Sequence, residues 1–348
     1  DPEPGTRMAE LNVTGVAMAK EICAKLDVPY KQCGSLVLAL QDSDVPHIEK
    51  LYKNGVANGV PDIQLLTADE VKAIEPHVID TVKGALYAPS AAIVSPWEYA
   101  LAMIEVAVRN GVELRRSSAV KSMKKIDGGF ELETATGTVQ ARYVVNAAGI
   151  KAEAIHAMLG TPRFHIHPTR GEYYLLDKSE GARANHVIFQ CPNELGKGVL
   201  VSPTVHGNLL VGPTAIDVDD KEATATTAAG LAEVREKSGL AVKDLPMRQT
   251  IPGFAGLRAH EARHEFLICE VTPGFVACAA IESPGLSSSP AIGKMVAGIV
   301  EGILHLEKNP AFDPTRKGIL DPKTLSPEEH AALIKKNPAY GTVICRCE

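Results

Sequence analysis

The chain has 348 residues, of which 45% are hydrophobic and 22% charged, an ordinary composition for a globular protein with enough length for two domains. Its net charge of −6 argues against a nucleic-acid partner, because nucleic acids bind to basic surfaces. No apolar run approaches the roughly 20 residues that span a bilayer. The seven cysteines, an odd number and mostly isolated, favour reduced thiols in a cytoplasmic protein over a disulfide framework.

Hydrophobic periodicity and capping residues predict the first elements of the chain. A helix is expected over 8–26, followed by a strand over 30–40 that contains Gly34. Thr67-Ala68-Asp69-Glu70 has the form of a capping box at the start of a short helix.

The clearest helix start is Ser95-Pro96-Trp97-Glu98, with serine as the cap, proline at the first helical position and glutamate three residues after the cap. The helix is expected to end at Asn110-Gly111. The residues predicted to form its buried stripe are Leu101, Ile104, Ala107 and Val108.

Four short strands are predicted next, over 112–115, 119–126, 130–133 and 139–146. The last strand runs into Asn146-Ala147-Ala148-Gly149 and then into a helix. A buried strand that turns through small residues into a helix lets the backbone approach a nucleotide closely. The glycine fingerprint G-x-G-x-x-G, which forms the first such turn in two-motif flavoproteins, does not occur, and the chain begins without methionine. We therefore expect a chain truncated at its front.

The second half is predicted to be mainly β over 168–280, with one helical insert at about 223–237. Ser289-Pro290 is expected to start a long helix, and Ser326-Pro327 another. The fold class predicted from this order is mixed α/β with two interleaved domains.

Seven segments taken together, over 95–98, 146–149, 168–174, 203–207, 212–214, 255–258 and 281–290, resemble the D-amino-acid-oxidase-like family of FAD-dependent oxidoreductases. The closer resemblance is to its glycerol-3-phosphate dehydrogenase and L-2-hydroxyglutarate dehydrogenase branch. It covers about 1–310. The ending with Cys345 and Cys347 is similar to the start of an iron–sulfur domain that follows in one subgroup, so truncation at both ends is expected.

The resemblance implies a two-motif, Rossmann-like FAD-binding domain that lacks its first βα unit and is interleaved with a β-rich substrate domain. The FAD-binding domain would comprise 1–29, 90–165 and 272–310, the substrate domain 30–89 and 166–271, and a C-terminal extension 311–348. Because the first turn would hold the FAD pyrophosphate, we expect the chain alone to bind FAD poorly or not at all. A [2Fe–2S] cluster is implied for the missing C-terminal part. No metal site is predicted within the chain.

Arginine is the side chain best suited to hold an anionic substrate, because it forms two parallel charged hydrogen bonds. Arg258 is the first candidate, since the resemblance places the family's substrate-binding arginine at its motif, and Arg170 is the second. The candidates for the general base are His206 and His260, and in relatives a histidine or arginine of the missing front also lines the pocket. Each of these four residues also has a structural interpretation, as a surface or packing residue.

The resemblance and the small residues of the loop over 283–290 assign that loop to the flavin, because the free N–H groups of a helix start suit the reduced ring. Val120 and the turn at Ala147, Ala148 and Gly149 are assigned to the adenosine half. The residues of the flavin loop are Ser283, Pro284, Gly285, Leu286, Ser287 and Ser288.

The predicted function is the FAD-dependent oxidation of glycerol 3-phosphate or a small 2-hydroxy acid by hydride transfer to flavin N5. One alternative is an amine-oxidising enzyme of the glycine-oxidase kind. Another is a non-catalytic folded fragment that does not bind FAD. The electron acceptor is not predicted. Peripheral association with a membrane is compatible with the sequence, and a homodimer would cover a sheet edge left open by a missing first strand.

Overall fold

A computed structural model describes residues 2–191, 198–304 and 306–343, so Cys345 and Cys347 lie outside the described residues. The helices are α1 (Arg7–Leu26), α2 (Val45–Ala57), α3 (Ala68–Ile74), α4 (Pro96–Arg109), α5 (Ala152–Ala157), α6 (Ala228–Ser238), α7 (Gly285–Leu304) and α8 (Pro327–Lys336). None of these described helices is both long and apolar enough to cross a membrane.

The strands of the first half are β1 (Tyr30–Gln32), β2 (Ser35–Ala39), β3 (Gln64–Thr67), β4 (Gly84–Ala88), β5 (Ala92–Val94), β6 (Val120–Ile126), β7 (Gly129–Thr134), β8 (Gly137–Ala141) and β9 (Val144–Asn146). Those of the second half are β10 (His167–Leu176), β11 (Val187–Gln190), β12 (Leu200–Pro203), β13 (Leu209–Gly212), β14 (Ile216–Asp217), β15 (Thr250–His260), β16 (Leu267–Thr272) and β17 (Phe275–Ala279).

The largest sheet has nine strands and is built from two separate parts of the chain. Its order is β14-β10-β13-β12-β11-β2-β4-β3, and β15 pairs with the other edge of β10. One face of this sheet is covered by α3 and α6. Leu36, Leu176 and Ile188 from the sheet meet Val71 of α3 and Val234 of α6 in the main hydrophobic core, and all five are fully buried. The opposite face of β10 and β15 is therefore the one that remains accessible.

Two smaller sheets form the second layer. In one, β9 pairs in parallel with β17, and β16 pairs antiparallel with β17 on its other side. In the other, β6, β7 and β8 form the predicted meander. Met123 of β6, Phe130 of β7 and Phe275 of β17 share one buried cluster, which joins the two sheets beneath α5.

Most of the predicted helix starts are confirmed. The reciprocal capping boxes at Thr67 and Ser326 are present, and Ser95 accepts a hydrogen bond from the backbone N–H of Glu98. The strand predicted over 30–40 is instead divided into β1 and β2 at Gly34, whose φ of +73° bends the backbone. The two pieces then pair with different strands, β5 and β4 respectively.

The predicted buried stripe of α4 is wrong. The residues that α4 buries are Tyr99, Ala102 and Val106, whereas Leu101 is 56% exposed. The helix is apolar on two faces, so periodicity alone does not select the one that packs. The segment 112–115 is also not a strand, because no described strand lies beside it, and Val112 is exposed.

The predicted start of the long helix is also wrong. Helix α7 begins at Gly285, four residues before Ser289, and contains Pro290. Proline cannot donate the backbone hydrogen bond that Leu286 would receive in a regular helix. The Ser289 hydroxyl donates to that carbonyl at 2.8 Å instead, which explains why the helix tolerates the proline.

Glycine allows helix α1 to lie against the start of α7. A Cβ atom on Gly15 would lie 2.1 Å from the carbonyl oxygen of Ser287, a backbone atom that cannot move aside cheaply. Beside this contact, the Ser287 hydroxyl donates to Asn12 Oδ1 at 2.6 Å. The approach of α1 therefore positions the first turn of α7.

We expect Gly15→Ala to lower the free energy of unfolding by about 1–3 kcal/mol, because the new methyl group forces the two helices apart. The matched control is Gly298→Ala in the exposed part of α7, where a Cβ atom meets nothing within 4 Å. Alanine should stabilise that helix by up to about 1 kcal/mol. Urea unfolding measures both variants, and equal effects at the two positions would contradict the packing argument.

Burial lowers the pKa of His156, which lies in α5 between the rings of Phe164 and Phe275. The unfolded chain therefore takes up a proton at a higher pH than the folded chain does. By linkage, this histidine lowers stability as the pH falls below its unfolded value of about 6.5. We expect the melting temperature of His156→Leu to fall less between pH 7 and pH 5 than that of the parent does. Parallel pH dependences in calorimetry would show that His156 does not contribute.

Candidate functional site

The candidate site lies on the accessible face of β10 and β15, where antiparallel pairing fixes which side chains share a side. Directly opposed residues of an antiparallel pair project to the same face, and alternate residues along each strand do so too. The pairs on this face are Tyr173 with Phe254, Gly171 with Gly256, Thr169 with Arg258 and His167 with His260. The face therefore carries aromatic rings at one end, two glycines in the middle, and cationic and imidazole groups at the other end.

Gly256 leaves a depression in this face. A Cβ atom on Gly256 would meet nothing within 4 Å, so the space above that strand is open. On the neighbouring strand, Gly171 is covered, since a Cβ atom there would lie 2.9 Å from Cβ of Pro213 and 3.5 Å from Nη2 of Arg258. The guanidinium therefore borders the depression. Such a gap, with one charged group at its side, suits a small anionic ligand.

Arg258 is positioned by a neutral partner rather than by a carboxylate. Its Nη2 atom donates to the backbone carbonyl of Thr214 at 2.8 Å. Among the described residues no carboxylate lies within ion-pair distance of Arg258. The hydrogen bond fixes the direction of the guanidinium and leaves its charge available to an anion.

Two aromatic rings close the other end of the depression. Tyr173 stacks on Phe254 with ring centroids 5.1 Å apart, and Trp97 meets Phe254 edge to face. Burial raises the pKa of the Tyr173 hydroxyl, an effect that the positive charge of Arg258 partly opposes. Tyr173 is consequently neutral at physiological pH and can donate a hydrogen bond.

Arg170 lies on the opposite face of the sheet from Arg258, so the structure does not bring the two predicted clamps together. Its Nε atom is 3.0 Å from Oε1 of Glu172, whose side chain is fully buried. Glu172 also receives hydrogen bonds from the backbone N–H and the hydroxyl of Thr227, the N-cap of α6. The charge of Arg170 is therefore engaged by a buried carboxylate, unlike that of Arg258, and its role as a substrate clamp stays a prediction.

The two candidate bases occupy different places. His206 lies in the loop between β12 and β13, where its Nε2 atom is 2.8 Å from the Glu98 carboxylate at the start of α4. His260 lies on the same face as Arg258, two residues further along β15. Its Nδ1 atom is 2.9 Å from Oε2 of Glu282, the residue immediately before the flavin loop. Of the two histidines, His260 is the one that pairing places on the face with the arginine.

The turn assigned to the adenosine half of FAD is exposed, and a buried side chain holds it in place. Ala147, Ala148 and Gly149 are all exposed, and a Cβ atom on Gly149, whose φ is +56°, would meet nothing within 4 Å. The buried side chain of Asn146 holds the turn by donating to the carbonyl of Ala152 at 2.8 Å. Exposure at this strand end is what a nucleotide-binding turn requires, and it argues against a packing role for the small residues.

Val120 is half-buried and is the first residue of β6, a strand that packs near α5. It therefore lies in the layer that carries the predicted nucleotide-binding turn.

The flavin loop leads directly into α7. Ser283 and Pro284 form the turn before the helix, and Gly285, Leu286, Ser287 and Ser288 are its first four residues. Within the described residues, no acceptor pairs with the backbone N–H groups of Leu286 and Ser287. These donors form the positive end of the helix and fit an electron-rich ring edge or carbonyl.

The donor chemistry and open spaces of this layer fit FAD. The exposed turn at 147–149 fits the nucleotide half, and the unpaired N–H groups at the start of α7 fit the polar edge of the flavin. Glu282, Gly256 and Phe254 were not among the candidates predicted from the sequence. The alternation of side chains along the strand before Arg258 could have found the last two, whereas Glu282 depends on the tertiary fold.

Comparisons with known proteins identify the family. A family model described as FAD dependent oxidoreductase matches residues 1–299. A glycerol 3-phosphate dehydrogenase from Caloramator mitchellensis is 46% identical over 351 residues, which cover 100% of this chain and 73% of that protein. An L-2-hydroxyglutarate dehydrogenase from Escherichia coli is 29% identical over 61% of this chain and 51% of that protein.

The solved structure of dithionite-reduced L-alpha-glycerophosphate oxidase from Mycoplasma pneumoniae, with FAD bound, has the same fold. It superposes with a TM-score of 0.85 at 27% identity and covers 92% of this chain and 86% of that one. The chain belongs to the family of FAD-dependent oxidoreductases. The family, the mixed α/β fold class and the enzyme class predicted from the sequence are confirmed.

Proposed function

We propose that the chain oxidises glycerol 3-phosphate and that Arg258 binds the phosphate group. The observation that carries the proposal is the depression over Gly256, with a guanidinium beside it that no described carboxylate neutralises. The substrate is chosen because the 46% identical relative that spans this whole chain is a glycerol 3-phosphate dehydrogenase.

FAD, when bound, accepts a hydride from the carbon that bears the hydroxyl and so converts an alcohol to a carbonyl. The chain's own residues orient the substrate for this step. Arg258 holds the anion through charged hydrogen bonds, and Gly256 leaves room for the carbon backbone. Tyr173, neutral and bordering the same space, donates a hydrogen bond to a substrate oxygen.

His260 is the general base in this proposal. Because the Glu282 carboxylate can only accept, the Nδ1–H of His260 donates to it, and Nε2 keeps the lone pair that takes the hydroxyl proton. The paired carboxylate also stabilises the imidazolium that forms. His206 already engages Glu98 through Nε2, so it serves as the comparison residue.

The division of the chain into an FAD-binding part and a substrate-binding part is also a proposal. The FAD-binding part comprises 1–29, 90–165 and 272–310, and the substrate part comprises 30–89 and 166–271. It is supported by the nine-stranded sheet, whose strands lie in the second group, and by the exposed turn at 147–149, which lies in the first.

A small 2-hydroxy acid is the second candidate substrate. Arg258 is the one predicted clamp on this face, and a single arginine binds a carboxylate as well as a phosphate. The E. coli L-2-hydroxyglutarate dehydrogenase is a relative with the corresponding substrate class in its name. Titration of the flavin-bound chain with each substrate distinguishes the two candidates, and titration with glycine tests for amine oxidation.

Three features beyond the site remain proposals. A [2Fe–2S] cluster is supported by Cys345 and Cys347, because thiolates are the ligands that such clusters use. A cytoplasmic location is supported by the five free cysteines of the described residues. A homodimer is supported by the exposed apolar face of α4, and a monomer in light scattering would contradict it.

We expect the purified chain to acquire a flavin absorption band when FAD is added, and glycerol 3-phosphate to bleach that band without oxygen. Bleaching reports the transfer of two electrons to the flavin, so the visible spectrum measures the proposed reaction directly. His260→Gln should slow the bleaching by about 10²-fold or more, the size of a general-base contribution, whereas His206→Gln should not.

The matched substrates decide between the remaining possibilities. If L-2-hydroxyglutarate bleaches the band and glycerol 3-phosphate does not, the hydroxy acid is the substrate. Bleaching by glycine would indicate amine oxidation. A folded chain that shows no band with excess FAD would support the non-catalytic alternative.

Gly256→Val tests the depression itself. Valine fits a strand and its Cβ atom would meet nothing within 4 Å, so we expect little change in the free energy of unfolding. It should nevertheless lower kcat/KM by at least about tenfold, because the side chain fills the space beside Arg258. The matched control is Gly253→Ala on the opposite face, where a Cβ atom makes ordinary contacts at 3.5–3.7 Å. Equal kcat/KM in both variants would show that the substrate does not bind on this face.

A further inference from the structure

We propose that His260, His264 and Glu282 form a binding site for a divalent transition-metal ion such as Zn²⁺, and that an ion bound there inhibits the oxidation. The metal binding stands independently of the proposed function, whereas the inhibition rests on the role given to His260. The site joins the end of β15 to the residue before the flavin loop.

The three side chains converge on one point. His260 Nδ1 lies 2.9 Å from Glu282 Oε2, and His264 Nδ1 lies 3.3 Å from Oε1 of the same carboxylate. All three ligand atoms lie within 4.8 Å of one another. Neighbouring ligands around a tetrahedral zinc ion, with bonds of about 2.0–2.1 Å, are separated by about 3.3 Å. Small shifts therefore suffice to admit the ion.

The carboxylate is not satisfied by its present neighbours. The Glu282 side chain is only 10% exposed, and its Oε1 atom is buried without a hydrogen bond in the described part of the chain. His264 Nδ1 is close to that oxygen but does not form a hydrogen bond with it. A buried carboxylate oxygen without a partner is costly, and a divalent cation would engage it and both imidazoles together.

The backbone holds His264 in place for this role. His264 is in the left-handed region, with φ of +52°, and its N–H donates to the carbonyl of Glu261 at 2.9 Å. This turn reverses the chain and brings His264 beside His260, with ring centroids 4.6 Å apart. Arg263, the positively charged side chain of this turn, forms an ion pair with Glu261, with Nε 3.1 Å from Oε2. The His264 side chain is 62% exposed, which gives an ion a route from solvent.

The donor set selects the kind of metal. Two imidazoles and one carboxylate are typical of zinc and other first-row transition metals, whereas Mg²⁺ and Ca²⁺ prefer sites made of oxygen atoms. Three protein ligands leave a fourth position for water. An ion at Nδ1 of His260 moves the imidazole proton from that nitrogen to Nε2, so Nε2 no longer has the lone pair that would accept the hydroxyl proton.

The binding test uses the full chain without a histidine tag and without FAD. Co²⁺ is added to the chelator-treated protein, and its visible absorption bands are followed together with calorimetric titration of Zn²⁺. We expect one equivalent to bind and Zn²⁺ to displace Co²⁺. His264→Asn removes the imidazole but keeps a residue that tolerates the left-handed region, and it should weaken binding at least about tenfold.

The matched control is His165→Asn. That histidine is 64% exposed and lies 2.8 Å from a carboxylate oxygen of Glu153, so it resembles His264 in exposure and pairing but lies outside the cluster. The control should bind the metal as the parent does. Absence of stoichiometric binding to the parent, or equal weakening in both variants, would overturn the proposed site.

The inhibition has its own readout. Zn²⁺ should slow the bleaching of bound flavin by substrate in the parent but not in His264→Asn. Metal binding without this inhibition would overturn the inhibitory role and leave the binding site. If glycerol 3-phosphate and hydroxy acids do not bleach the parent at all, the proposed function fails, and the Co²⁺ spectrum still decides whether the metal site exists.

Discussion

The pairing of β10 with β15 is the constraint on which the rest of the site depends. These are the two longest strands, and their register runs from His167 opposite His260 to Tyr174 opposite Gly253. Because residues alternate between faces, the register decides at once which side chains meet solvent and which meet the core. A slip of one residue would bury Arg258 and expose the hydrophobic partners of the main core. The core therefore enforces the geometry of the site.

Glu172 shows how the core maintains this register. Its side chain is fully buried behind the sheet. There it accepts hydrogen bonds from Thr227, the N-cap of α6, and lies in ion-pair distance of Arg170. Gly230 in α6 lets the helix approach closely, since a Cβ atom there would lie 2.5 Å from the carboxylate. The backbone N–H of Glu172 binds the hydroxyl of Thr214, whose carbonyl directs Arg258. One buried carboxylate thus connects α6, the strand register and the guanidinium on the opposite face.

The sequence was sufficient for elements whose signals are local. Thr67, Ser95 and Ser326 marked helix starts because capping depends on residues three positions apart. The distinction between Arg170 and Arg258 could not be predicted in the same way, since it follows from a register between strands about 80 residues apart. The start of α7 was mispredicted because Ser289-Pro290 resembles a cap, while the serine hydroxyl in fact replaces the hydrogen bond that the proline lacks.

The cluster at His260 lay beyond sequence reasoning for a related reason. His264 reaches Glu282 only because the turn places it in the left-handed region, and Glu282 comes from a strand end 18 residues later. The same imidazole nitrogen cannot both donate a proton to Glu282 and coordinate a metal. If both proposals hold, a metal ion at Nδ1 of His260 opposes proton uptake at Nε2, and linkage requires that protonation weaken metal binding by the same factor. The residue before the flavin loop would then connect the chemistry of the site to the availability of a metal ion.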